Sequence, residues 1–317
     1  MRALLLVVAA CLAACGGARD ARTVVLALNW FPESEHGGYF AADAGGLYAA
    51  RGLTVEIRPG GPGVPVVPRV ASGEVDFGVV NADDVVAARA AGAPVVTLLA
   101  PIHRYPVCIM VHAESGIEHL ADLRDVTLAM SPGTPYGTWI ERHAALTNVT
   151  RVPYTGNVAA FLADPKLAQQ AYVFSEPIIA AKKGASVRCL PVAEIGFDPY
   201  SSVLITRDTL VRDHPEVARA MTEASAIGWK QYATDPAPAH LRILERNPEI
   251  GREALDAGAS ALRPLVMDDD AKQNGVGSMT RERWTRLVAQ MEEIGAIKDP
   301  LAPDTLYTDQ FVPKPGA

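Results

Sequence analysis

The sequence predicts a two-lobed α/β protein with a helical C-terminal region. Short apolar, strand-type segments alternate with helix-type segments from residue 23 to residue 206, with short connections between them. That alternation is the pattern of mainly parallel sheets. It falls into two successive series, and one late strand returns to the first. After Thr206 the pattern is helical throughout.

In the first series, strands are expected at Thr23–Leu28, Leu53–Arg58, Val75–Val80 and Pro94–Leu99. Helices are expected between them at Glu35–Arg51, Pro65–Ser72 and Asp83–Ala91. Gly52 suits a helix stop and Asp83, beside Asn81, a helix start. In the second series, strands are expected at Val107–Val111, Val126–Met130, Thr150–Pro153, Ala171–Phe174 and Ser186–Leu190. Its helices are Pro135–Thr147, Asn157–Leu162 and Glu176–Gly184. Ser201–Thr206 is the return strand. The helices His214–Tyr232, Pro238–Arg246, Pro248–Ala261 and Arg281–Ile294 follow. Trp229, Tyr232, Trp284, Leu287 and Met291 recur at helical spacing and are expected to face the core. Asp268-Asp269-Asp270 reads as a solvated loop, because the alternating ligand spacing of a calcium loop is missing. The chain thus divides into residues 23–104 with 197–317 as one lobe and 105–196 as the other, with crossings near Tyr105 and Phe197.

The N-terminus reads as an export signal. Met1-Arg2 is a short positive start, and Ala3 to Ala14 is apolar almost without interruption. That is too short to span a bilayer and the right length for a signal-peptide core. It ends Leu12-Ala13-Ala14-Cys15-Gly16, which resembles a bacterial lipobox, so residues 1–15 are assigned as a lipoprotein signal with Cys15 the lipidated residue and 16–22 as a linker. Several acyl chains on one cysteine anchor a protein stably. The expected location is the cell envelope, with membrane attachment through the lipid only.

Apolar residues make up 49% of the chain and charged residues 21%, with a net charge of −7. The basic residues are dispersed, which excludes nucleic acid as a partner, since that needs a concentrated basic face. Beyond Cys15, Cys108 and Cys189 are open to either reading, one disulfide or two buried thiols. No zinc-type spacing, Gly-x-Ser-x-Gly, His-Glu-x-x-His or phosphate-binding loop is present, so no metal, no cofactor and no catalytic set are expected.

The segment from Leu28 to Phe40 reads Leu-Asn-Trp-Phe-Pro-Glu-Ser-Glu-His-Gly-Gly-Tyr-Phe. Aromatics, carboxylates and a histidine at the end of a strand suit the mouth of a small-molecule site, because open α/β sheets bind ligands at the carboxyl ends of their strands. Trp30, Phe31, Tyr39, Tyr136, Tyr154 and Tyr172 are candidate walls for a planar ring. Glu33, Glu35, Asp83, Asp84 and Glu176 lie near strand ends and are candidates to accept from ring amino groups or pair with a cation. Asp83 is equally a helix cap, and Asn81 and Asp84 are the preferred ligand contacts there. Asn29 and His36 complete the mouth, His36 as a donor to ligand or as an orienting group. Ser131 and Thr134, before one helix, and Asn157, at the start of the next, are placed to offer polar groups to an anionic portion. Arg104 and Arg151 are the only bases nearby, which points away from small oxyanions.

Four segments, in order, carry a resemblance. Gly46-Leu47-Tyr48-Ala49-Ala50-Arg51-Gly52-Leu53-Thr54-Val55, Ala71-Ser72-Gly73-Glu74-Val75-Asp76-Phe77-Gly78, Ser115-Gly116-Ile117 with Leu120-Ala121-Asp122-Leu123, and Phe174-Ser175-Glu176-Pro177 resemble the periplasmic solute-binding proteins of ABC importers, in the taurine/nitrate/sulfonate and thiamine-precursor branch. The resemblance runs from about Thr23 to about Tyr232. It implies a type II binding-protein fold, a ligand cleft between the lobes, a monomer, and partnership with a permease and its ATPase. Asn29-Trp30 with His36 is closest to the thiamine-pyrimidine members, which implies an aminopyrimidine-like ligand captured by lobe closure. The pyrimidine synthases of that group carry a lysine and a histidine after the Val-Asp strand. This chain has Val79-Val80-Asn81-Ala82-Asp83-Asp84 there, with neither. A pyrimidine-precursor enzyme, a sulfonate, nitrate or taurine binder, and a sensor domain are the alternatives.

Overall fold

The computed structural model describes residues 21–314, so the assigned signal peptide and Cys15 lie outside the described residues. Ten strands form two five-stranded sheets. The first is built from β1 (Arg22–Ala27), β2 (Leu53–Arg58), β3 (Phe77–Val80), β4 (Val95–Leu99) and β10 (Val203–Arg207), in the order β2-β1-β3-β10-β4. The second is built from β5 (Val107–His112), β6 (Thr127–Met130), β7 (Thr150–Pro153), β8 (Leu167–Tyr172) and β9 (Val187–Pro191), in the order β7-β6-β8-β5-β9. Both sheets are mixed. β1 runs parallel to β2 and β3, while β10 enters antiparallel between β3 and β4. β6 runs parallel to β7 and β8, and β5 antiparallel to β8 and β9. Each sheet therefore holds one reversed strand that a mainly parallel reading does not contain. The segments after β4 and before β10, which run between the sheets, bridge at Ile102 and Ser201.

Helices cover the sheet faces. Those of the first lobe are α1 (Gly37–Ala44), α2 (Val66–Ser72) and α3 (Ala82–Ala90), and those of the second are α4 (Pro135–His143), α5 (Ala159–Ala163) and α6 (Glu176–Lys182). The C-terminal region adds α7 (Asp208–Asp213), α8 (Pro215–Thr234), α9 (Ala237–Arg246), α10 (Arg252–Val266), α11 (Asp269–Asn274) and α12 (Arg281–Glu293). No helix among the described residues is long and apolar enough to cross a membrane. β5 is buried on both faces: Val107, Ile109 and Val111 join one core cluster, and Cys108 and Met110 another. Its unbroken apolar run follows from that double burial. Cys108 and Cys189 are joined by a disulfide across β5 and β9, with a Cα–Cα separation of 5.5 Å. Trp229, Tyr232, Trp284, Leu287 and Met291 are all buried.

Four expectations change. The single helix Glu35–Arg51 is instead a 3-10 turn at Ser34–His36, then α1, then a 3-10 turn at Ala49–Arg51. Gly45-Gly46 breaks it, with Gly46 at a φ of 64°. β8 begins at Leu167 rather than Ala171 and ends at Tyr172, because Gln169 and Gln170 are strand residues despite their polarity. Gly251, at a φ of 72°, separates a short 3-10 turn at Pro248–Ile250 from α10. Asp268 is not a plain solvated residue: it N-caps α11 by accepting from the Ala271 N–H at 2.8 Å, and it also bonds His103 Nδ1 at 2.8 Å. Capping satisfies one of the orphan N–H groups at a helix start.

Candidate functional site: an acidic, aromatic cleft

A cleft of about 190 Å³ lies between the two sheets, at the ends of β1, β3, β6, β7 and β8. The end of β1 supplies Asn29, Trp30, Glu33 and Glu35, and the end of β3 supplies Asn81, Asp83 and Asp84. From the second lobe come Ser131, Thr134, Pro135 and Tyr136 after β6, Tyr154 after β7, and Gln170, Tyr172, Ser175 and Glu176 from β8 into α6. Tyr105 comes from the segment that leaves the first sheet. This is the carboxyl-end placement expected of ligand sites in open α/β sheets.

The lining holds five carboxylates and, among the described residues, no lysine, arginine or histidine. Burial raises the Glu33 carboxyl well above its ordinary value of 4.5, with Glu35 and Glu176 adding to the rise and the Ser175 hydroxyl opposing it. Burial also raises Glu35, against hydrogen bonds from Asn29 and Ser202, and Glu176, against those from Tyr154 and the Tyr172 backbone. Asp83 is pushed well above its usual range by burial and then by Asp84 beside it. Desolvation disfavours the charged form of each acid. Arg104 pairs with Asp198 at 3.3 Å and Arg151 with Glu141, so neither neutralises the cleft.

Most polar groups on the walls are committed to one another. Glu176 accepts from the Tyr154 hydroxyl at 2.6 Å and from the Tyr172 N–H at 2.8 Å. Gln170 Oε1 accepts from the Ser131 N–H and from the Tyr136 hydroxyl, both at 2.6 Å, which fixes the loop before α4. Among the described residues, two hydrogen bonds join lining side chains of one lobe to those of the other. The Ser175 hydroxyl donates to Glu33 Oε2 at 2.9 Å, and Asn81 Nδ2 donates to the Tyr172 hydroxyl at 3.0 Å.

Four residues expected at the ligand are not in the lining of this cleft. His36 is fully buried behind the mouth: its Nδ1 accepts from the Glu33 N–H, and its Nε2 donates to Asn29 Oδ1 at 2.9 Å. Asn29 then donates to Glu35 at 2.9 Å, and Ser202 donates to the same oxygen at 2.7 Å. Burial lowers the His36 imidazole to about 3, so it is neutral and acts as a positioning group for Asn29. Tyr39 is core: its hydroxyl donates to the Ser202 carbonyl and its ring meets Trp229 edge-on. Phe31 is 49% exposed and packs edge-on against Trp30, outside the lining. Asn157 lies two residues before α5 and turns onto its own backbone, accepting from the Ala159 N–H at 2.9 Å. Gly37 and Gly38 also serve packing, because a Cβ there would lie 2.1 Å from the Tyr232 and Trp229 rings of α8.

Asn81 and Asp84 line the cleft but are engaged in the fold. Asn81 Oδ1 accepts from the Ser201 hydroxyl at 2.7 Å, and the Asn81 N–H donates to Asp84 at 3.0 Å, which caps α3. Tyr105, Gln170 and Ser175 were not singled out from the sequence. Gln170 follows a run that reads as polar, and no motif marks Tyr105. Ser175 lies inside the quoted Phe-Ser-Glu-Pro segment, which is the signal that could have found it.

A family model described as NMT1/THI5 like matches residues 33–239. The chain belongs to the NMT1/THI5-like family. It is 25% identical over 305 residues to the riboflavin-binding protein RibY of Chloroflexus aurantiacus, covering 92% of this chain and 86% of that one. It is 22% identical over 299 residues to the formylaminopyrimidine-binding protein of Halalkalibacterium halodurans, covering 90% and 89%. The fold is that of the periplasmic solute-binding proteins. It superposes on the periplasmic aliphatic sulphonate-binding protein SsuA of Escherichia coli with a TM-score of 0.72 at 14% identity, over 93% of this chain and 95% of that one.

Proposed function

We propose that this chain is the solute-binding component of an ABC importer and that it captures a small, amino-substituted aromatic heterocycle by closure of its lobes. The observation that carries the reading is a cleft with aromatic walls and five carboxylates and, among the described residues, no cationic side chain. Such a lining favours a ring bearing N–H donors or positive charge, and it offers no cationic side chain to a sulfonate or nitrate. The relatives named for riboflavin and for a formylaminopyrimidine both support a planar nitrogen heterocycle. The volume of about 190 Å³ favours one ring over a flavin, since sites for larger ligands run to roughly 300–1,000 Å³.

The ligand is held first by the lobe that carries Trp30, Glu33, Glu35 and Asp83. Contacts to Tyr154, Tyr172 and Glu176 then favour the closed state, which the Ser175–Glu33 and Asn81–Tyr172 bonds latch. This is population shift by differential affinity. The closed form docks on a permease, and a lipid on Cys15 holds the protein at the envelope. A thermal-shift screen with aminopyrimidines, riboflavin, taurine, alkanesulfonates and nitrate tests the ligand class, because binding raises the melting temperature by mass action. A concentration-dependent rise with an aminopyrimidine supports the reading, and a rise with an oxyanion alone refutes it.

A further inference from the structure

Among the described residues, seven buried side-chain nitrogen or oxygen atoms have no hydrogen-bond partner within the protein. Only Asp83 Oδ1 and the Tyr105 hydroxyl belong to residues that line the cleft. They stand out there because the neighbouring hydroxyls are taken: Tyr136 donates to Gln170, Tyr154 donates to Glu176, and Tyr172 accepts from Asn81. Both residues are 3% exposed. Leaving a buried donor or acceptor unpaired costs the full desolvation of that group, so two such atoms in one cleft need a reason.

Both are held in place by contacts that do not use the free atom. Asp83 sits in the first turn of α3, whose start is tied down by the Ala82 N–H donating to the Tyr200 carbonyl at 3.1 Å. Tyr105 is fixed through its backbone N–H, which donates to Asp198 at 2.7 Å, and through its ring, which meets Phe197 edge-on at 5.6 Å. The two are electrostatic neighbours, since the Asp83 carboxyl is among the groups that push the Tyr105 hydroxyl above its usual range.

We propose that Asp83 Oδ1 and the Tyr105 hydroxyl together read the polar edge of the ligand, and that this edge carries an N–H donor beside an acceptor, as an amidine-type N=C–NH₂ unit does. The Tyr105 O–H donates to the ring nitrogen, and Asp83 Oδ1 accepts from the exocyclic amine. An aminopyrimidine has this edge, whereas a hydrocarbon ring or a tetrahedral oxyanion does not. The inference rests on the reading of the cleft as a solute site, and it makes Asp83 and Tyr105 the residues that set specificity within it.

The test is calorimetry of the lipid-free protein with 4-aminopyrimidine and with aniline, which keeps the amine and loses the ring acceptor. The parent protein is expected to prefer 4-aminopyrimidine by about tenfold, the effect of one hydrogen bond. Tyr105→Phe is expected to bind the two probes alike, while its ligand-free melting temperature stays level or rises, because the substitution removes an unpaired buried hydroxyl. Asp83→Ala is expected to weaken 4-aminopyrimidine about tenfold, and Asp83→Asn, which keeps an acceptor of the same shape, to restore it. A parent protein that binds 4-aminopyrimidine, with a Tyr105→Phe variant that keeps the parent's preference or an Asp83→Ala variant that keeps its affinity, overturns the proposed edge and leaves the solute site standing. A parent protein that binds neither probe overturns both.

Discussion

Replacing Ser175, a lining residue whose hydroxyl bridges the two lobes, by alanine tests closure. Ser175 starts α6, yet its side chain makes no capping bond to its own helix. Its hydroxyl donates instead across the cleft to Glu33 Oε2 at 2.9 Å. Glu33 is 8% exposed, so the variant leaves a buried carboxyl without that donor. The loss of one buried hydrogen bond of this kind is worth about 1–2 kcal/mol. Because the bond joins the two lobes, the cost falls on the closed state alone. The closed-to-open ratio of the liganded protein should then fall by about 5- to 30-fold, and the apparent affinity with it. The substitution removes no apolar side chain from the core clusters, so the ligand-free melting temperature should move little. Calorimetry gives the affinity, and small-angle scattering with and without ligand gives the closure. An unchanged affinity together with an unchanged compaction would refute the role of this bond as a latch.

Other perturbations test other links. Trp30 lines the cleft at its mouth, and a Cβ placed on Gly156 of the opposite lobe would meet its ring at 3.6 Å; Trp30→Ala should weaken a stacked ligand by at least ~1 kcal/mol, and a folded variant with parental affinity would remove Trp30 from the site. Glu33, Glu35, Asp83 and Glu176 are all raised, chiefly by burial. The native state therefore keeps protons that the unfolded chain releases above its ordinary carboxyl range, so this contribution is fully present below that range and is lost as pH rises toward the folded values. The ligand-free parent should melt lower at pH 8 than at pH 5, and Glu33→Gln should flatten that fall; superimposable pH profiles for the two proteins would contradict the assignment. Gly38→Ala places a Cβ 2.1 Å from the Trp229 ring, and such overpacking costs about 1–3 kcal/mol, so a clear drop in melting temperature is expected and an unchanged one would show that α8 yields without strain.

Much of the fold was legible because its signals are local. β2 runs from Leu53 to Arg58 as read, since Gly52 stops the preceding turn in a left-handed conformation and the apolar alternation begins at once. The C-terminal helices were visible from the spacing of residues such as Trp229 and Trp284, which are buried as their period implied. β8 was placed late because Gln169 and Gln170 look like loop residues, and only the tertiary structure shows Gln169 buried and Gln170 holding Ser131 and Tyr136. The reversed directions of β5 and β10 leave no mark in a hydropathy pattern, which records burial and not strand sense.

The site was half legible for the same reason. Residues at strand ends, such as Trp30, Glu33, Tyr136, Tyr154 and Glu176, do line the cleft. What sequence spacing does not contain is the pairing of side chains. His36 and Tyr39 share the mouth segment with Trp30 but point into hydrogen bonds with Asn29 and the Ser202 carbonyl. Asn81 and Asp84 satisfy the start of α3 and the return segment at Ser201, while Asp83 carries an oxygen that is both fully buried and unpaired.

Titration calorimetry of the lipid-free chain with an aminopyrimidine and, separately, with an alkanesulfonate decides between a planar amine and an oxyanion as the occupant of the cleft. Saturable one-to-one binding of the aminopyrimidine is expected, with no binding heat from the sulfonate. Sulfonate binding without aminopyrimidine binding would contradict that expectation, because among the described lining residues no cationic side chain stands ready to pair with an oxyanion.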